Sequence, residues 1–456
     1  MDLTEQLAAA VGAAHVLTGD DIGEDYSHDE AITSAGQRPA YVVRPGETSE
    51  VAAVLRIANE HSVPVTGRGA GTGMSGAGVA VEGGILVSFE RMNQVLEIDE
   101  ANHMAVVQPG VTLDELDKVL APRGLVYPVF PGEYSASLGG NVNTNAGGMR
   151  AVKYGVTRHH VIGLEAVLAA GDVIRTGGKI VKSSTGYDLT QLILGSEGTL
   201  ALVTEATLRL YPRAEHQATV LAPFATLDEV TEAIPRIVAS GVGPLILEYI
   251  DMMTMAAMSY QFGIDLGIPE DVKSTALAYL VVMMEQTHAD RLDDDVEALA
   301  GLVSDLGALD VYVLPAGSAA QLIDAREKAF WVAKSAGADE IIDIVVPRAS
   351  VPDFMRRVSE LAQANETLVA GCGHAGDGNV HMSVFQKDPE VLATVMHGLF
   401  AIGTDLGGAI SGEHGLGTEK KKYFMQLEDP VKIDLMRGIK AAFDPNGILN
   451  PGKVFD

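Results

Sequence analysis

Short apolar runs alternate with amphipathic stretches along most of the chain. Tyr41-Val42-Val43 is a compact β-branched and aromatic run and predicts a strand. Residues 48–61 space their apolar side chains at helical intervals, predicting an amphipathic helix with Thr48 as its cap. Further strands are predicted at 63–66, 85–89, 95–98 and 104–108. Thr112-Leu113-Asp114-Glu115 is a capping box, in which threonine and glutamate reciprocally satisfy the first free N–H groups of a helix. The helix it opens runs to about residue 121. A stretch rich in Gly and Asn follows, then strands at 164–169, 172–175 and 200–211. Residues 1–35 read as a short leading helix and a loop.

The texture changes after Tyr211-Pro212-Arg213. Thr226-Leu227-Asp228-Glu229 is a second capping box and predicts a helix to about residue 240. Strands at 245–250 and 277–284, a helix at 290–306, a strand at 311–314 and a helix at 319–335 follow. This alternation predicts one sheet with helices on one face. The longest apolar run, residues 276–284, is too short to span a bilayer and suits a buried strand. The segment 444–453 consists of turn residues and is expected to pack back on the first half.

A chain of 456 residues is long for a single core, so two domains are expected. With 61 acidic and 32 basic residues the net charge is −29, a surface that repels nucleic acid and anionic lipid. Neither nucleic-acid binding nor direct membrane insertion is expected. A small anionic substrate needs local positive charge to overcome this field. Cys372 is the single cysteine, which excludes an intrachain disulfide and fits a reducing compartment. The acidic start Met1-Asp2-Leu3-Thr4-Glu5-Gln6 lacks the long apolar stretch of a secretory signal, so a cytoplasmic location is expected.

Thr66-Gly67-Arg68-Gly69-Ala70-Gly71-Thr72-Gly73-Met74-Ser75-Gly76 follows a predicted strand and contains a literal G-x-G-x-x-G. A Rossmann site needs a helix to start there, and residues 78–84 have the wrong period and too much glycine. A P-loop fails as well, because no Lys-Ser/Thr pair closes the loop. What remains is a run of backbone N–H groups able to converge on an anion, with Arg68 adding charge. Residues 131–148 and Gly195-Ser196-Glu197-Gly198-Thr199 are two more loops of this kind. One such loop is a structural turn; three in one domain point to a long ligand with a diphosphate in its middle.

Gly373-His374-Ala375-Gly376-Asp377-Gly378-Asn379-Val380-His381 places two imidazoles around a turn between predicted strands at 367–370 and 380–385. Ser411-Gly412-Glu413-His414 adds a carboxylate and a third imidazole. Imidazole and carboxylate are ligands for a borderline divalent metal, and three protein ligands leave a position open for chemistry. A single histidine beside a turn is more often a backbone-bonded one; two around Gly-Asp-Gly, with Glu413-His414 available, favour the metal. Four other residues invite plainer readings. Arg326 lies in a charged helical stretch, where a solvated ion pair is the ordinary role. Cys372 shares a strand face with His374 but reads as a small buried thiol. Trp331 reads as packing, and Glu248 as a buried partner whose mate the sequence does not identify.

Together the loop at 66–76, the segment 131–148, Gly195-Ser196-Glu197-Gly198 and the motifs at 373–381 and 411–417 resemble the FAD-linked D-2-hydroxyacid dehydrogenases. These belong to the vanillyl-alcohol-oxidase flavoprotein superfamily and include D-lactate dehydrogenase, the flavoprotein subunit of glycolate oxidase and D-2-hydroxyglutarate dehydrogenase. The resemblance covers residues 37 to 453, and the last two motifs are its most specific part. It implies an α+β fold. An N-terminal helix and loop at 1–35 would precede a PCMH-type FAD-binding domain of two α+β subdomains at 36–214. A cap domain at 215–410, an antiparallel sheet covered by helices, would follow, and 411–456 would return to the FAD domain.

The resemblance further implies that FAD is lined by Arg68, Gly69, Ala70, Gly71, Thr72, Gly73, Met74, Ser75, Gly76, Pro131, Gly132, Ser137, Gly140, Asn141, Thr144, Asn145, Gly148, Glu197, Gly198, Val203, Asn379 and Asn450. His374, His381 and Glu413 match the ligands of a divalent metal, zinc or manganese. His414 matches the catalytic base, and Arg326 the arginine that holds the substrate carboxylate. The implied reaction takes a D-2-hydroxyacid to its 2-oxoacid with hydride passing to flavin N5, and an electron acceptor, protein or quinone, completes the cycle. Ala70 and Thr72 stand where some relatives carry a histidine that attaches FAD, so non-covalent FAD is expected. Phe330 and Ile341 stand where hydroxyglutarate enzymes place polar side chains, which favours glycolate, lactate or an apolar-tailed acid over a dicarboxylate. Other readings stay open: a superfamily oxidase that reduces oxygen, a non-catalytic flavin relay subunit, or a flavin-free metal hydrolase. Peroxide formation would mark the first, the relay has no need of the histidine pair, and the hydrolase would be colourless.

Overall fold

A computed structural model describes residues 2–455 and holds three main sheets. In the first, strands Val16–Thr18, Tyr41–Val43, Ile85–Ser88 and Val65–Arg68 lie side by side, the last three parallel. Helix Thr48–His61 lays Val51, Val54, Leu55 and Ala58 against this sheet, together with Leu7 and Val11 of helix Leu3–Val11. Thr48 does not cap its helix. Glu47 holds the cap position without a side-chain bond, and Thr48 Oγ1 donates to Glu165 Oε1 at 2.5 Å. Glu165 belongs to strand Val161–Val167 of the second sheet, so the hydroxyl ties two subdomains together.

The second sheet is antiparallel, in the order Val95–Asp99, Met104–Val107, Leu202–Arg209, Val161–Val167, Val173–Gly177. Helices Leu113–Leu120 and Leu138–Thr144 bury Leu116, Leu120, Leu138 and Val142 in its core. The capping boxes at Thr112/Glu115 and Thr226/Glu229 both form, because each needs only residues three apart.

The third sheet has seven antiparallel strands: Tyr312–Leu314, His216–Phe224, Ala278–Gln286, Ile246–Asp251, Leu368–His374, Asn379–Phe385 and Glu340–Val345. Helices cover both of its faces, not one. Leu247, Tyr249, Leu280, Val380 and Met382 share a core with helices Leu227–Ala239, Ala289–Asp305, Val351–Ala364 and Pro389–Asp405. Ile250, Tyr279, Val281 and Cys372 face the opposite way, toward helices Met252–Phe262, Ala316–Glu327 and Ala329–Ser335. Successive strand residues point to opposite faces, so a run apolar at every position, such as 278–284, requires cover on both sides.

The helix expected at 319–335 is two helices. Lys328 N–H donates to both Asp324 O (3.3 Å) and Ala325 O (3.1 Å), which tightens the turn and ends the first helix after Arg326-Glu327. The tail returns to the first sheet as expected: Leu449 bridges Val65, and Asn450 N–H donates to Val65 O at 2.7 Å. Among the described residues no helix is long and apolar enough to cross a membrane.

Candidate active site

The first cavity, about 170 Å³, lies where the loop after strand Val65–Arg68 meets the start of helix Leu138–Thr144. No helix follows that loop within residues 69–84. Gly71 has φ +79°, and a Cβ there would run into the Arg68 guanidinium. A Cβ at Gly69 would strike Ser137 Oγ, so the two glycine-rich segments approach too closely for a side chain between them. Ser137 Oγ accepts from Ala70 N at 3.2 Å and from Gly140 N at 3.3 Å.

Arg68, Gly69, Ala70, Gly71, Thr72, Gly73, Met74, Ser75, Pro131, Ser137, Gly140, Asn141, Thr144, Glu197, Gly198 and Val203 line this cavity. Six other expected positions do not. Gly132 lines the second cavity. Gly76 packs toward Thr418, and Gly148 against Phe130 O. Asn145 Oδ1 accepts from Arg158 N at 2.9 Å. Asn450 Nδ2 donates to Ala77 O (3.0 Å) and Glu197 O (2.7 Å), tying the tail to two loops. Asn379 packs where a Cβ at Gly412 would sit. Arg68 is not a free cation: its guanidinium donates to Asp25 O (2.6 Å) and His28 O (2.8 Å). Asp29 and Asn143 also line the cavity; Asn143 lies within the segment 131–148, whereas Asp29 lies in the leading loop, where no motif marks it.

The second cavity, about 400 Å³, lies between the seven-stranded sheet and helices Met252–Phe262 and Ala329–Ser335. Arg326, His374, His381, Glu413 and His414 line it, and Met74, Pro131, Glu413 and His414 line both cavities. Gly378 has φ +89° and closes the hairpin that brings His374 and His381 together, with ring centroids 4.7 Å apart. Glu413 Oε1 stands 3.1 Å from His374 Nε2 and 3.2 Å from His381 Nε2. Burial alone would drive the Glu413 carboxyl up, yet the two imidazoles hold it well below its ordinary range. Burial likewise disfavours the His374 imidazolium, but Glu248 and Glu413 outweigh it and lift that group to about 10.

Glu248 is the buried carboxylate whose mate the sequence left unidentified. Its Oε1 accepts from His374 Nδ1 at 2.6 Å, and its Oε2 lies 2.6 Å from Arg326 Nη2. One carboxylate thus orients both a candidate metal ligand and the candidate substrate clamp. Arg326 is buried, not solvated. Cys372 is buried on the same face and takes no place in the His374–His381–Glu413 cluster.

Asp343 organises the other side and carried no sequence signal, because its partners are about seventy residues away. Its Oδ2 accepts from the backbone N–H groups of Gly412 (3.0 Å), Glu413 (2.8 Å) and His414 (2.9 Å). Lys420 Nζ pairs with its Oδ1, and His414 Nδ1 lies 3.4 Å from the same oxygen. Glu197 anchors the next residues, accepting from Leu416 N and Gly417 N at 2.7 Å each. Burial pushes His414 down to about 4, reinforced by Lys420 and His381, so the imidazole is neutral at pH 7.

The residues present fit both groups that the motifs imply. Asn141 Nδ2 is buried without a partner in the wall of the first cavity, beside a backbone cradle that admits no side chain at Gly69 or Gly71. One ligand atom each from His374, His381 and Glu413 lies within 4.8 Å of the others. Tetrahedral ligands about 2.1 Å from a cation stand roughly 3.4 Å apart, so the cluster has the right size.

Comparison with known proteins agrees with this architecture. Residues 39–177 match the FAD binding domain family, and residues 213–454 match the family of FAD linked oxidases, C-terminal domain. The chain belongs to the FAD-linked oxidase family with the α+β, PCMH-type fold, and it is an oxidoreductase. It is 58% identical over 454 residues to an uncharacterized FAD-linked oxidoreductase of Mycobacterium tuberculosis, covering 100% of this chain and 99% of that one. It is 36% identical to a D-lactate dehydrogenase of Anaerostipes hadrus, covering 97% and 95% of the two chains. Among solved structures, 4-ethylphenol oxidase of Gulosibacter chungangensis superposes with a TM-score of 0.80 at 18% identity, over 100% of this chain and 96% of that one.

Proposed function

We propose that the protein oxidises a D-2-hydroxyacid to its 2-oxoacid, using non-covalent FAD and a divalent metal, zinc or manganese. The observation that carries this reading is the shared wall: Glu413 and His414 border both the loop-lined cavity and the cavity holding Arg326 and the histidine pair. FAD supplies the two-electron acceptor. His374, His381 and Glu413 would hold the cation, which would supply Lewis acidity toward the C2 hydroxyl.

Arg326 binds the substrate carboxylate. Its buried Nε has no hydrogen-bond partner, and a guanidinium can grip a carboxylate through two N–H arms. His414 is the base: Asp343 holds its backbone and faces Nδ1, and the residue lines both cavities. His414 takes the hydroxyl proton as a carbonyl forms at C2, and bound FAD would supply the acceptor for the C2 hydrogen, which leaves as hydride with its bonding electron pair. Electrons then leave to a protein or quinone acceptor.

Anaerobic mixing with D- and L-2-hydroxyacids tests the reading. D-acids should bleach the flavin absorbance and L-acids should not; a panel in which no D-acid bleaches it overturns the assignment. Glu248→Gln keeps the shape but replaces a carboxylate that serves both His374 and Arg326. Metal affinity should fall roughly 10–100-fold, read by competition against a chromophoric chelator. Unchanged affinity would remove Glu248 from this role.

A further inference from the structure

The second cavity is larger than a two- or three-carbon acid needs. At about 400 Å³ it falls in the size range that takes drug-sized ligands. Its charged and imidazole groups are Arg326, Glu327, Glu413, His374, His381 and His414. The rest of the lining carries no charged side chain, and one side of it, formed by Ala370, Ser383, Phe385 and Leu368, runs along two paired strands.

Strand geometry gives the length of this apolar arm. His381, Ser383 and Phe385 share one face of strand Asn379–Phe385, and Phe385 pairs with Leu368 on the neighbouring strand. Four residues at roughly 3.3 Å each put Phe385 about 13 Å from His381. An extended backbone advances ~3.6 Å over three bonds, so about ten bonds of a zigzag chain fill that distance. Leu368 is 43% exposed, so the arm reaches the surface and sets no hard upper limit on chain length.

Resting on the D-2-hydroxyacid reading above, we propose that this arm selects a medium-chain substrate: a D-2-hydroxyacid with an apolar tail, about ten to twelve carbons in all. Arg326 and the histidine cluster take the polar head, and the tail lies along Ala370, Ser383 and Phe385. No cationic side chain lines this arm to pair with a second carboxylate, so dicarboxylic acids are disfavoured.

The test is a chain-length series of D-2-hydroxyacids, from glycolate and lactate through the decanoate to the tetradecanoate, read as the rate of anaerobic flavin bleaching on the whole protein. Each added methylene should raise kcat/KM roughly threefold to fourfold, as burial of one CH₂ group implies, until the gain levels off at about ten to twelve carbons. D-2-hydroxyglutarate should fall below D-lactate. Ala370→Phe, with flavin content unchanged, should collapse the ratio of octanoate to lactate rates. Bleaching by lactate or glycolate with no gain for longer acids would overturn the tail proposal and leave the dehydrogenase reading intact. Bleaching by none of them would overturn both.

Discussion

Replacing His414 with alanine should slow anaerobic flavin reduction by about 10²–10⁴-fold, the usual contribution of a positioned general base. The loop that carries it should survive the change. Asp343 holds Gly412, Glu413 and position 414 through backbone N–H groups, which alanine keeps, and Lys420 stays paired with the same carboxylate. Flavin content and metal content should therefore match the parent, while the rate of bleaching, followed by stopped flow, falls. Reduction as fast as in the parent would take the base role from His414.

The largest loss of stability is expected from Asp343→Ala. Asp343 is fully buried, and Lys420 is nearly so. Removing the carboxylate leaves a buried ammonium without its partner and three backbone N–H groups without an acceptor. Breaking a buried pair on one side costs about 3–5 kcal/mol, and each orphaned donor adds to that. Glu413 and His414 of this loop line both cavities, so flavin retention should fall with stability. Asp343→Asn, which keeps an acceptor oxygen but loses the charge, should fall between the two. Thermal melting with flavin release as a second signal checks this; a parent-like melting temperature for Asp343→Ala would contradict the assigned anchor.

Features set by nearby residues were legible in the sequence. The two capping boxes, the Gly378 hairpin and the absence of a helix after the first glycine loop depend on neighbours within a few positions. The grouping of His374 and His381 with Glu413 was legible because the motifs are distinctive, not because spacing dictates the contact. Features set by distant partners were not legible. Thr48 looks like a cap until Glu165 arrives from another sheet. Arg68 looks like a free cation until the carbonyls of Asp25 and His28 claim it. Glu248 and Asp343 each sit in an apolar strand, and only the fold reveals that they organise the two halves of the site. The second helical layer on the seven-stranded sheet was missed for a related reason: the helix Met252–Phe262 has little amphipathic contrast in its Met- and Ala-rich sequence.

The proposed chemistry depends above all on a metal held by His374, His381 and Glu413 that acts on substrate beside the flavin. Chelator treatment under conditions that leave flavin bound, followed by anaerobic addition of a D-2-hydroxyacid, tests it most directly. Bleaching should be lost on chelation and regained when zinc or manganese is restored. Full-speed bleaching by the chelated, metal-free protein would contradict it.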